Sequence, residues 1–70
     1  MKNLQISLAA ARVNANMSQD DVAKHLKISK QTIVNWEKGR TEPSMTQFRT
    51  LSELYGIPLS NIIFLPKKSN

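Results

Sequence analysis

The sequence predicts an all-α domain of five short helices joined by tight turns, and three observations carry that expectation. Apolar residues recur at three- and four-residue steps, the period of a helix face, with no strand-like alternation. Serine stands immediately before several of these apolar runs, where its hydroxyl can accept from free helix amides. Asn16, Gly39 and Gly56 fall where the runs end, and each residue type tolerates the left-handed backbone that closes helices.

The first helix is expected from Leu4 to Asn14, with Leu4, Leu8, Ala11 and Ala15 along one face and closure between Asn14 and Asn16. Ser18 then caps a second helix, Gln19 to Leu26, in which Asp20 and Asp21 suit the positive end and Val22, Ala23 and Leu26 face inward. After a break at Lys27 and Ile28, Ser29 caps a third helix running from Lys30 to about Lys38, which Gly39 ends. On it, Ile33 and Trp36 share one face, while Lys30, Gln31, Val34, Asn35 and Lys38 share the other. Ser44 and Gln47 form a capping box for a fourth helix with the stripe Met45, Phe48, Leu51 and Leu54. Pro58 opens a fifth, which carries Leu59, Ile62 and Ile63 and stops at Pro66. Residues 1–66 thus read as one domain, and residues 67–70 as a short polar tail.

Composition narrows what such a domain does. A chain of 70 residues supports one small core, and ten Lys or Arg against five Asp or Glu leave a formal charge of +5. That balance suggests a polyanionic partner, of which nucleic acid is the commonest. With no cysteine and one histidine, His25, neither a disulfide framework nor a metal site is expected. No paired carboxylates or nucleophile–base arrangement suggests an enzyme or a cofactor. The longest apolar run, Ile62 to Leu65, is too short to span a bilayer, and the amino end lacks a secretory layout, so a soluble cytoplasmic protein is expected.

The most informative stretch is Gln19 to Trp36, a capped helix, a tight break and a second helix with its polar side outward. Helices joined so closely cross steeply, with the small Ala23 letting their backbones approach. The second then protrudes, and its size suits the major groove of a DNA duplex.

These residues resemble the helix-turn-helix regulators of the phage repressor and Cro type. The matching pieces are Met17-Ser18-Gln19, Val22-Ala23, Ile28-Ser29, Thr32-Ile33, Trp36-Glu37-Lys38-Gly39-Arg40, Pro43-Ser44 and Leu54-Tyr55-Gly56, in the family's order and spacing. The resemblance spans Leu4 to Phe64 and implies a compact five-helix, lambda-repressor-like domain. It further implies base contacts from Lys30, Gln31 and Asn35, with Thr32 and Val34 offering methyl groups to thymine. Backbone contacts would come from Gln19, Ser29, Lys38, the Gly39 amide and Arg40. Arg12 is expected to pair with Glu37 and to turn its free edge to a phosphate.

Three positions depart from the family pattern. Lys27 stands where glycine is usual in the turn, Asn16 where glycine is frequent, and Pro58 where a capping serine is common. His25 is expected to be structural, and Trp36, with Phe48 and Leu51, to be core. Leu59, Ile62, Ile63 and Phe64 suit either closure of that core or a homodimer contact. The expected function is sequence-specific binding of double-stranded DNA by a transcriptional regulator, repressor or Cro-like, acting as a dimer. An antitoxin that binds both DNA and a toxin is the alternative.

Overall fold

The computed structural model describes residues 5–63. In chain order these form β1 (Ile6–Ser7), α1 (Leu8–Asn14), α2 (Gln19–Leu26), α3 (Lys30–Glu37), α4 (Met45–Tyr55), one 3-10 turn (Leu59–Asn61) and β2 (Ile62–Ile63).

All four α-helices begin in the same way. Ser7, Ser18, Ser29 and Ser44 are the N-caps, each in extended backbone, and their hydroxyls accept from the amides of Ala10, Asp21, Thr32 and Gln47. Asp21 and Gln47 return the bond to the cap amides of Ser18 and Ser44 at 2.9 and 2.8 Å, completing two capping boxes. Each such cap stabilises its helix by about 1 kcal/mol.

All four also end alike. Asn16, Lys27, Gly39 and Gly56 take positive φ of 59°, 60°, 76° and 71°. The next amide in each case turns back into the helix, Met17 to the Arg12 carbonyl at 3.2 Å, Ile28 to Ala23 at 3.0 Å, Arg40 to Asn35 at 2.9 Å and Ile57 to Ser52 at 3.1 Å. These bonds satisfy carbonyls that a helix end otherwise leaves open, so the chain itself sets where each helix stops.

The core is formed by Leu8, Ala11, Val22, Ala23, Ile33, Trp36, Leu51, Tyr55 and Ile62, with Phe48, Leu54 and Ile57 packed at its margin. Ile33 and Leu51 are 1 % exposed, and Val22 and Ala11 not at all. Because Ile33 and Trp36 are both inside, the opposite side of α3 is turned outward.

Three expectations are corrected. Among the described residues there are four α-helices, not five, and the last segment is a single 3-10 turn followed by an extended pair. Adjacent β-branched residues, Ile62 and Ile63, favour that extended backbone over a helix. Second, α1 begins at Leu8 rather than Leu4, since Ser7 caps it and Ile6–Ser7 is already extended; residue 4 lies outside the described residues. Third, strands are present: β1 and β2 pair in parallel, with Ile6 opposite Ile62 and Ser7 opposite Ile63. This pairing brings the two ends of the described chain together and turns Ile62 into the core at 7 % exposure, which removes it from any dimer surface. Ile63 is 42 % exposed and Leu59 half-buried, while Phe64, Pro66 and residues 67–70 lie outside the described residues.

Candidate nucleic-acid interface

The platform beneath α3 is a polar knot at the edge of the apolar core. Arg12 of α1 donates from Nε to Glu37 Oε2 at 2.7 Å and from Nη2 to Glu37 Oε1 at 3.2 Å. Its Nη1 donates to the Met17 carbonyl at 2.9 Å, fixing the corner between α1 and α2. Gln19, at the start of α2, donates from Nε2 to the same Glu37 Oε1 at 2.9 Å. One carboxylate at the end of α3 therefore ties three helices together.

The Arg12 and Glu37 side chains are only 14 % and 8 % exposed, so water screens the pair weakly. The two-pronged contact with Glu37 holds the Arg12 guanidinium above its usual range, against the opposing effect of burial. Three of its five N–H groups are committed inside the protein, leaving two for any phosphate. Gln19 is likewise committed in part, with one amide hydrogen left to donate outward.

Tyr55 lies buried close to this pair, and burial pushes its hydroxyl up from 10.0 to about 12; the charge of Glu37 adds to the rise and that of Arg12 opposes it. The unfolded chain thus loses the phenolic proton first. Between pH 10.0 and about 12 the unfolded state holds fewer protons than the folded one, so Tyr55's contribution, complete below that window, is lost as pH rises through it. Because the chain has one tyrosine, tyrosinate absorbance should titrate near 12 in the native protein and near 10.0 in urea. Coincident curves would remove the burial argument.

The outward side of α3 has a different character. Lys30 and Gln31 are exposed and Val34 and Asn35 half-buried on the side of the helix away from Ile33 and Trp36, with the half-buried Thr32 at its flank. Gln31 donates from Nε2 to Asn35 Oδ1 at 3.1 Å across one turn, and Arg40 Nη1 reaches the same oxygen at 3.4 Å. Sequence reading missed this convergence of Arg40 on Asn35. Its signal is the left-handed Gly39, which folds the chain back and bonds the Arg40 amide to the Asn35 carbonyl.

Ser29 accepts from the Thr32 amide at 3.2 Å and lies 3.0 Å from the Thr32 hydroxyl, so both side chains are engaged at the helix start. At the far corner the Gly39 amide donates to the Trp36 carbonyl at 3.1 Å, and Gly39 is buried. The Gly39 amide is thus engaged within the chain, while the side chains of Lys38 and Arg40 on either side of it are exposed. His25 is exposed on α2, Trp36 and Leu51 lie in the core, and Phe48 is half-buried against it.

Charge is concentrated here. Residues 24–40 contain Lys24, Lys27, Lys30, Lys38 and Arg40, all exposed, and one acid, Glu37, which Arg12 already neutralises. Among the described residues no cluster of metal-ligating side chains exists, and no helix is long and apolar enough to cross a membrane.

Comparison with known proteins agrees with this geometry. The helix-turn-helix family profile matches residues 8–62, from the first residue of α1 to the first of β2. An uncharacterised HTH-type transcriptional regulator of Methanocaldococcus jannaschii is 36 % identical over 62 residues, covering 89 % of both chains. The transcriptional repressor RstR of the cryptic phage CTXphi in Vibrio cholerae is 29 % identical over 52 residues, 74 % of this chain and 47 % of that protein. The transcriptional activator BcrR of Enterococcus faecalis is 25 % identical over 56 residues, 80 % of this chain but only 28 % of its own length. No solved structure gives a significant match. With a profile match over most of its length and α3 turning its polar side outward from a braced platform, the chain belongs to the helix-turn-helix family, of the phage repressor and Cro type that its motifs resemble.

Proposed function

We propose that this protein is a sequence-specific transcriptional regulator that occupies a double-stranded DNA operator by laying α3 in the major groove. The observation that carries this reading is the outward side of α3, where Gln31 and Asn35 stand among exposed cations with no unpaired acid on the same segment. Amide side chains suit the paired donor and acceptor of adenine, and Lys30 suits guanine O6 and N7. Thr32 and Val34 offer methyl groups beside them. Lys38 and Arg40 hold the sugar-phosphate chain at the far corner, and Gln19, with the remaining edge of Arg12, does so at the start of α2.

Regulation follows from occupancy, as for a repressor or a Cro-like antagonist, and a cytoplasmic location is proposed together with that reading. A homodimer would read two half-sites about 34 Å apart on one face of the duplex. Leu59 and the exposed Ile63 are available for the dimer contact. A toxin-neutralising role has no observation in its favour.

The test is recovery of bound duplexes from a random pool at physiological salt, followed by titration of variants. Gln31→Ala should lose about 1–3 kcal/mol on the recovered site and relax preference at one base pair. Arg40→Ala should weaken every duplex alike and lower the salt slope by about one. If the two variants behave identically on the recovered site and on random DNA, α3 is not the reading element.

A further inference from the structure

Lys27 is the residue whose backbone the fold holds in the least accommodating conformation for its type. It closes α2 at φ 60° and ψ 46°, where a β-carbon crowds the backbone and glycine is favoured. Asn16, the other non-glycine residue with positive φ, is of a type that tolerates this region; lysine is not. Nothing inside the described fold explains the choice. The Lys27 side chain is exposed, its ammonium has no hydrogen bond or salt bridge among the described residues, and Lys24 and His25 already place basic groups in the last turn of α2.

Its position is informative. The turn it occupies leads directly into α3, whose far end carries Lys38 and Arg40. Eight residues of helix make a rod about 12 Å long, close to the width of the major groove. Groups at the two ends of such a rod come within a side chain's reach of the phosphates on either side of the groove. We infer that Lys27 holds a backbone phosphate at the leading end of α3, a contact absent from a domain with glycine in this turn.

This inference rests on the DNA-binding reading and deepens it, so the experiment separates the two. The full chain and its Lys27→Gly, Lys27→Gln and Lys27→Arg variants are titrated at several salt concentrations with the duplex recovered from the random pool and with a scrambled duplex of equal length. Lys27→Gly should raise the melting temperature by releasing the left-handed constraint, yet weaken both duplexes by the same factor. Its salt slope should fall by about one, so that it loses about fourfold less affinity than wild type between ~50 and ~200 mM salt. Lys27→Gln, which keeps the backbone constraint and removes the charge, should show the same binding defect without the gain in melting temperature. Lys27→Arg should bind as wild type does. Wild-type affinity and slope in Lys27→Gly and Lys27→Gln would overturn the phosphate contact while leaving the DNA reading intact. A wild-type protein that fails to distinguish the two duplexes would overturn that reading instead.

Discussion

Glu37→Ala should destabilise the domain by about 3 kcal/mol, more than removal of both Glu37 and Arg12 together. The carboxylate satisfies two N–H groups of Arg12 and one of Gln19, at 2.7, 3.2 and 2.9 Å. Deleting it leaves a cation that is 14 % exposed with one remaining partner, the Met17 carbonyl. A stranded, poorly hydrated charge is what makes breaking one side of such a pair expensive, whereas apolar replacement of both sides is often near neutral. Urea denaturation of Glu37→Ala, Arg12→Leu and the Arg12→Leu/Glu37→Ala double variant measures this. The double variant should be more stable than Glu37→Ala, with a coupling of at least about 1 kcal/mol. Strict additivity would show the pair to be a surface contact of little weight. Duplex affinity should fall further in Glu37→Ala than stability alone explains, because the same bonds set the angle at which α3 leaves the domain.

Much of this was legible from residue order because the determinants are local. Ser18, Ser29 and Ser44 announce their helices through a hydroxyl that reaches only three residues ahead, and Gly39 and Gly56 end theirs through their own backbone freedom. The inward placement of Ile33 and Trp36 follows from helical period alone, and it fixes which side of α3 is outward. Lys27 stands where the family usually has glycine, which left either a left-handed lysine or an altered turn, and the structure has the left-handed lysine.

What residue order hid was non-local. The pairing of Ile6–Ser7 with Ile62–Ile63 joins the two ends of the described chain through two residues on each side, too short to leave a period of its own. The helical spacing of Leu4 with Leu8 extended the expected first helix past Ser7, the residue that caps it. The state of the site's donors was also hidden. That Arg12 turns one N–H to the Met17 carbonyl, that the Gly39 amide is held by Trp36, and that Arg40 reaches Asn35 are consequences of side-chain packing and of the chain's turn after α3. These details set which donors and acceptors of the site are already engaged within the chain.

Trp36→Ala should remove about a third or more of the domain's stability and sharply lower its melting temperature in the absence of DNA, although Trp36 touches no base in the proposed complex. Its indole is 4 % exposed and sits with Ile33 on the one face that holds α3 to the domain. Truncating a buried tryptophan costs about 3–5 kcal/mol, while a chain of this length has about 3.5–10 kcal/mol of stability in all. The deficit falls on α3 first, because α3 is eight residues long, too short to persist as an isolated helix. Trp36→Phe keeps an apolar ring and should lose less, leaving a folded protein with a lowered melting temperature. Circular dichroism is the suitable measurement, since the variant removes the sole tryptophan. Addition of the recovered duplex at about 100 times its dissociation constant should restore about 2.7 kcal/mol to Trp36→Phe through binding to the folded form alone. A Trp36→Ala protein with wild-type helicity, melting and duplex affinity would mean that α3 is held by something other than its inner face, and the outward presentation of Gln31 and Asn35 would then lose its structural basis.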